Sequence, residues 1–432
     1  FFIDGDGYLE SSLLNFRGGH TSAVTKPSNC TQRMRVTFIH PDLGIGGAER
    51  LVVDAALAMQ NNGHQVCIVT NHYNPTHTFD DSKQFDIRTI DILPRSIFGR
   101  GIALCAYLRM CLAAIYVSMA VDSDLVFCDS VSACLAVFRF FRLLRVCKAP
   151  LFFYCHFPDM LLTDRKTALK KVYRYFVDSL ESWTMGMADL ICVNSYFTRD
   201  IVSRTFPKLN IEKVYVLYPT LNTKFFDDVA SVELAQLPST VKYLFVSINR
   251  YERKKNIRLA IDAFAELKWK LSSDEYRRCF LVIAGGFDKL NEENLLYHRE
   301  LKEYAVDAAI STKQILFLRS PADNVKVELL RRAIAVLYTP SNEHFGIVPV
   351  EAMYMKTCVI AVNSGGPKES IVDGVSGFLV DAEVDAFANK MAQLVRGEVD
   401  AVRIGEDGRK RVESMFTFNK FAHQLEMLVQ SV

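Results

Sequence analysis

Residues 36–40 form a short apolar run, 44–47 a glycine-rich loop, 48–60 a helical pattern and 66–70 a second apolar run. A strand, a crossover helix and a second strand pair in parallel, and a parallel sheet needs helices on both faces. This unit alone points to an open α/β sheet. Strand-like runs at 125–128, 151–154 and 190–193 extend it, and 215–217 leads through Tyr218 and Pro219 into a polar linker around 227–240. The pattern then restarts. Residues 243–248, 279–284, 315–318, 335–338 and 359–362 read as strands, with the clearest helices at 256–267 and 323–334. The fold class is therefore α/β, with two doubly wound parallel-sheet (Rossmann-like) domains facing a central cleft at the carboxyl ends of their strands. The expected division is a leader at 1–33, domains at 34–225 and 241–402, and a helical segment at 403–432 free to pack back on the first domain. The leader is polar, lacks the basic start and apolar run of a secretory signal, and is expected to be disordered.

Composition removes several classes of function. The 51 basic and 49 acidic residues leave no cationic excess for wrapping nucleic acid. Eleven cysteines, an odd number with no C-x-x-C pair, argue for reduced, buried thiols rather than a disulfide framework or structural zinc. Mean hydropathy is +0.10, apolar enough to suggest a membrane surface. Residues 102–121 are interrupted by one charge, Arg109, which costs roughly 2.5–3.5 kcal/mol at the centre of a spanning helix. A span, an interfacial helix and a buried helix remain open for that stretch. In 138–148, Arg139, Arg142, Arg145 and Lys148 alternate with Phe138, Phe140, Phe141, Leu143 and Leu144. This mixture suits an anionic lipid surface or an ordinary amphipathic helix.

Three motifs carry chemistry. Gly44, Gly46 and Gly47 lie between a strand and a helix, where backbone N–H groups can approach a phosphate or simply make a tight turn. Glu49 stands where a dinucleotide fingerprint needs its third glycine, against an NAD-dependent oxidoreductase. Arg250, Arg253, Lys254 and Lys255 surround the start of a helix, where the dipole disfavours cations. Either a bound anion compensates them or water does. In the third motif, Glu343 and Glu351 stand eight residues apart, the first in a loop after a strand and the second in the helix beginning near Gly346. Carboxylates can accept bonds from sugar hydroxyls, and the N–H groups of Phe345, Gly346, Ile347 and Val348 can hold a phosphate between them.

The E-x7-E element of Glu343 and Glu351, with the cationic loop before it and Ser364-Gly365-Gly366-Pro367-Lys368-Glu369 after it, resembles family 4 glycosyltransferases of the two-domain GT-B type. HPDLGIGGAER (40–50), FYCHFPDMLL (153–162), SINRYERKKN (247–256) and YTPSNEHFGIVPVEAMYM (338–355) are similar to the mannosyltransferases of dolichol-linked oligosaccharide assembly. The likeness runs from about residue 34 to the end of the sequence.

That resemblance implies a retaining transfer from GDP-mannose to a mannosyl-chitobiose on dolichyl diphosphate, adding one α-1,3 and one α-1,6 mannose. It implies the cytosolic face of the endoplasmic reticulum membrane, and other enzymes of the same pathway as partners. By the same resemblance Arg250 and Lys255 balance the leaving diphosphate, and Glu351 holds the ribose. Glu343 lies near the donor sugar and phosphate, and Gly46 and Gly47 lie beneath the diphosphate. His156, which on its own could be merely structural, faces the donor sugar, and Asp159 is a candidate for the acceptor. No metal or cofactor is expected, because cations and helix N–H groups can stabilise the leaving group. The D-x-D spelling at Asp122, Ser123 and Asp124 precedes a strand rather than following one. A transferase using another nucleotide sugar would keep the same donor residues. A non-catalytic sugar-nucleotide-binding subunit should have lost Arg250, Lys255 or Glu343, and all three are present.

Overall fold

A computed structural model describes residues 33–96, 101–163 and 167–432; the expected leader, apart from Arg33, lies outside the described residues. The first sheet has seven strands: β1 (Arg35–His40), β2 (Gln65–Thr70), β3 (Asp86–Thr89), β4 (Leu125–Asp129), β5 (Leu151–Cys155), β6 (Leu190–Val193) and β7 (Val214–Val216). Their order is 3-2-1-4-5-6-7, and every pairing is parallel, with Val36 beside both Val66 and Leu125. The helices between them are α1 (Gly47–Asn61), α2 (Ile102–Ala120), α3 (Ala133–Leu143), α4 (Ala168–Met185) and α5 (Tyr196–Thr205). Alternate strand residues serve opposite faces. Phe38, Phe127 and Phe152 pack with Leu51 and Val52 of α1, while Ile39, Val126 and Phe153 pack with Met110 of α2 and Phe138 of α3. Burial on both faces explains why these strands are apolar runs rather than alternating ones.

The second sheet repeats the plan with β8 (Tyr243–Ile248), β9 (Cys279–Gly285), β10 (Ile315–Arg319), β11 (Ala335–Tyr338), β12 (Cys358–Val362) and β13 (Phe378–Val380), in the parallel order 10-9-8-11-12-13. Its helices are α6 (Ile257–Lys270), α7 (Glu292–Asp307), α8 (Asp323–Arg332), α9 (Ile347–Tyr354), α10 (Val384–Val395) and α11 (Ala401–Met415), followed by α12 (Phe418–Gln430). In both sheets the strand order reverses beside the first strand, so crevices open after β1 and β4 and after β8 and β11. The three motifs lie at these switch points.

The C-terminal stretch is two helices with different attachments. α11 packs on α9 of the second half. The chain then crosses at Phe416, whose carbonyl accepts from the Leu221 N–H at 2.9 Å, and α12 packs on α1. Glu426 seals that contact with His64 at 3.0 Å and Asn62 at 2.9 Å.

The structure adds to two membrane-related expectations. α2 is long and apolar enough to cross a membrane by length and composition, but its Arg109 is buried, 2.8 Å from Asp91 and 2.7 Å from the carbonyl of Asn71. One side of α2 belongs to the core; Ile102, Leu104, Leu108, Ile115 and Met119 remain exposed. The run 138–148 does not present four free cations. Arg139 and Arg142 bond to Asp189 at 2.7 and 2.9 Å, and Phe138 is buried. These two arginines fasten α3 to the loop before β6. The described cysteines all carry free thiols.

Candidate active site

The second half contributes a set of paired charges. Lys255, almost buried, reaches both oxygens of Glu343 at 2.8 Å, and the Tyr338 hydroxyl donates to the same carboxylate at 3.1 Å. Burial pushes Glu343 up, but Lys255 and Tyr338 outweigh it and hold the carboxyl below its usual range. Glu343 is therefore an anion held ready beside a cation. The loop carrying it is clamped from behind: Gly365, at φ 66°, lies so close that a Cβ would fall 2.4 Å from the Glu343 carbonyl. The Gly366 N–H donates to that carbonyl at 2.8 Å. No side chain caps α9, so its first N–H groups, after Phe345 and Gly346, are available to an anion. The side chains of Phe345, Ile347 and Val348 pack into the core, so these residues offer backbone rather than side-chain groups.

Glu351 sits one turn into α9 with the Lys326 ammonium of α8 at 2.7 Å. Arg250 follows β8 and stands apart from the Lys255–Glu343 pair. Its side chain is 62% exposed and meets Glu252 at 2.9 Å, and Lys254 reaches the same carboxylate at 3.2 Å. Gly285 allows this loop its position, since a Cβ there would fall 1.9 Å from the Asn249 carbonyl.

The first half is arranged differently. Gly46 caps α1, with the Glu49 carboxylate folded back against it, and Gly47 has open space beside it. His156 follows β5, and its Nε2 lies 2.9 Å from Asp129 at the end of β4. Asp129 also meets His40 Nδ1 at 2.8 Å and accepts from the Ser130 hydroxyl at 2.6 Å. Asp159 is engaged by Arg174 at 3.0 Å and by the Tyr107 hydroxyl at 3.4 Å. Nearby, Glu181 accepts the N–H groups of Asp159 and Met160, and burial pushes its carboxyl up to about 7.

The halves meet at this point. The rings of Phe157 and His344 stack at 3.7 Å, and the Ser195 hydroxyl donates to the His344 carbonyl. Burial, helped by Lys254, Lys255 and His156, holds the His344 imidazole down at about 4 despite Glu343. Glu369, whose carboxyl burial pushes up, accepts the first N–H groups of α5 from Tyr196 and Phe197 at 2.8 and 2.7 Å. It also accepts the Tyr218 hydroxyl at 2.9 Å. His156, Asp159 and His344 share one cavity of about 1200 Å³, walled by α2 and α4.

Lys255 and Glu343 are thus paired, and His156 and Asp159 share the cavity, while Arg250 and Glu351 keep partners of their own. The sequence reading missed Asp129 and Lys326, and it gave no role to His40, Glu252, His344 and Glu369, which lie inside the quoted motifs. Asp122 and Asp124 sit before β4 and pair with Arg35 at 3.0 and 2.9 Å, at the amino-terminal ends of the central strands, opposite the carboxyl ends that face the cleft. Among the described residues no three metal-ligating side chains converge.

Two parallel sheets around such a cleft define a GT-B glycosyltransferase. Sucrose-phosphate synthase from Thermosynechococcus elongatus superposes with a TM-score of 0.73 at 19% identity, covering 92% of this chain and 99% of that one. Anabaena HepE in complex with UDP and glucose gives 0.67 at 17% identity, covering 93% and 100%. Residues 45–225 match the Glycosyltransferase Family 4 model, and 234–411 match Glycosyl transferases group 1.

The chain belongs to the ALG2 family of α-1,3/1,6-mannosyltransferases. It is 46% identical to the human member over 415 residues, covering 95% of this chain and 97% of the relative. The Rhizomucor pusillus member is 40% identical (92% of each chain), and the Dictyostelium discoideum member 36% (93% of this chain and 99% of the relative). The chain is a mannosyltransferase of N-glycan precursor synthesis, acting with a nucleotide-sugar donor and a glycan acceptor.

Proposed function

We propose that this enzyme takes mannose from GDP-mannose and adds it, with retained configuration, to a mannosyl-chitobiose carried on dolichyl diphosphate, one α-1,3 and one α-1,6 residue in turn. The observation that carries the reading is the nearly buried Lys255–Glu343 pair beside the uncapped start of α9, with Arg250 exposed on the loop that leads to Lys255. Arg250 and Lys255 meet the diphosphate as the glycosidic bond breaks, and the N–H groups of Phe345, Gly346, Ile347 and Val348 share its charge. Glu351 holds the ribose, Glu343 orients Lys255 and the donor sugar, and Gly46 and Gly47 close over the diphosphate from the first half. His156 faces the sugar, and Asp159 lies on the acceptor side.

The lipid end of the acceptor calls for a membrane surface, and the reading puts the enzyme at the cytosolic face of the endoplasmic reticulum. α4 supports this with an inverted pattern. Arg174, Asp178 and Glu181 face inward, while Val172, Tyr175, Phe176 and Trp183 face out. The Tyr173 hydroxyl of α4 accepts the Leu104 N–H of α2 at 3.0 Å, and both helices wall the cavity that leads to His156. The outer face of α4 stands beside 138–148, where Phe140, Leu143, Leu144 and Val146 stay exposed, as a surface fit to meet lipid.

The test is transfer of radiolabel from GDP-mannose or UDP-glucose to a synthetic mannosyl-chitobiosyl lipid, with linkage analysis. The GDP-mannose arm should yield both α-1,3 and α-1,6 products, and excess EDTA should leave the rate unchanged. Transfer from UDP-glucose alone overturns the donor. Loss on chelation that Mn²⁺ restores overturns metal independence.

A further inference from the structure

Three loops at the first switch point converge on one carboxylate that no family role covers. Asp129 ends β4 with no exposed surface, flanked by His40 from the end of β1 and His156 from the end of β5. Burial would push its carboxyl up, but His156 and His40 outweigh that and hold it well below the usual range, so it is an anion. An ionised carboxylate only accepts hydrogen bonds. Each ring nitrogen facing it must therefore carry a proton: Nδ1 of His40 and Nε2 of His156. His40 has a second anionic neighbour, Glu49, 3.9 Å from its Nε2. Burial lowers His40, but Asp129 and Glu49 outweigh it and raise the imidazole to about 9. The row is Glu49 anion, His40 cation, Asp129 anion, then the Nε2–H of His156.

We infer that Asp129, braced by His40, is a positioning residue that fixes the tautomer of His156, so that the ring turns its Nδ1 lone pair toward the cleft as a hydrogen-bond acceptor for a sugar hydroxyl. Among the described residues no protein hydrogen bond reaches that Nδ1. The side chain of His156 is 24% exposed against 0% for Asp129, so the ring is the row's outlet into the cavity. The arrangement follows the logic by which a buried carboxylate orients a histidine in hydrolytic triads, without the nucleophile. Here the histidine does not change partners. It receives a bond from a hydroxyl and holds the sugar at a set angle.

The inference rests on the transferase reading, and two measurements keep them separate. The first needs no turnover: nitrogen-15 NMR of the histidine rings in the full chain. In the wild type His156 should show a protonated Nε2 and a bare Nδ1. Asp129→Asn should give a mixture of tautomers, and His40→Gln a smaller departure. The second is steady-state transfer. Asp129→Asn should lower kcat by about 10- to 100-fold with KM for the nucleotide sugar unchanged, and His40→Gln by several-fold. Should Asp129→Asn fail to fold, His40→Gln carries both measurements. A bare Nε2 in the wild type, or full kcat in a folded Asp129→Asn, overturns the inference. An inactive wild type with the expected tautomer overturns the transferase reading alone.

Discussion

The two halves share a topology and differ in how they keep charge near the cleft. The second half stores it as opposed pairs at the cleft wall: Lys255 with Glu343, Lys326 with Glu351, and Arg250 with Glu252. Each cation is balanced by a carboxylate at 2.7 to 2.9 Å, so the charge near the cleft is held in neutral pairs. The first half stores charge in a row that is buried at His40 and Asp129 and part-exposed at its two ends, Glu49 and His156. One half keeps its charge in separate pairs, and the other links it in a single row. Substitutions should therefore act on activity and stability in different proportions in the two halves.

The largest effects belong to the cationic loop, and two variants there separate chemistry from stability. Lys255→Ala should lower turnover by about 100-fold or more, and it should lower Tm because Glu343 is left half-buried without its cation, at roughly 1–3 kcal/mol. Arg250→Ala should lose comparable turnover with Tm unchanged, since its side chain lies mostly in solvent. Turnover and thermal melts of both proteins check this, and wild-type turnover in both would remove the loop from the mechanism.

Next in size is the lipid-facing side of the first half. Phe176→Ser combined with Trp183→Ser should weaken binding to anionic liposomes by about 10-fold, given the apolar area withdrawn. Transfer to a dolichyl acceptor should slow while a short water-soluble acceptor is spared. Arg145→Gln with Lys148→Gln, in the run first read as the lipid contact, should change binding far less. Equal slowing on both acceptors after the α4 substitutions would make that face structural.

The smallest effect is a pH dependence of stability. His40 is raised from its ordinary value of 6.5 to about 9, so its contribution is complete below 6.5 and disappears as pH rises through about 9. Asp129 is held low, so its contribution is present above the ordinary carboxylate range and lost as pH falls. Tm should show a plateau near neutrality and an alkaline decline, which His40→Gln flattens. An identical alkaline limb in that variant would assign the decline to another group.

What could be read from sequence alone follows from where the information lies. The central strands are continuous apolar runs because they are buried on both faces, and the expected architecture of two doubly wound sheets was legible from them. β3 and β13 escaped notice. β3 is Asp-Ile-Arg-Thr at a sheet edge, and β13 is three residues long, so neither has the apolar length that marks a strand. The motif residues were legible because each motif is contiguous. Their partners were not, because Asp129 reaches His40 across 89 residues and Lys255 reaches Glu343 across 88. The same blindness hid that only part of the basic charge in 138–148 is free. Asp189, which occupies Arg139 and Arg142, lies 47 to 50 residues downstream. The inward charges of α4 likewise make sense only once Asp159 is seen to need Arg174.

α12 also ties the first half to the order of synthesis. Phe421, Leu425 and Val429 complete the core over α1, and the contact between Asn62 and Glu426 spans 364 residues. A ribosome adding about 5–20 residues per second needs roughly 20–70 seconds to supply that cover after α1 has emerged. For that interval the outer side of α1 stays bare, and the first half cannot reach its final form while the second is still being made. The nascent chain thus carries an uncovered apolar face over most of its translation, and a stall late in the message would leave two nearly finished lobes with one of them open.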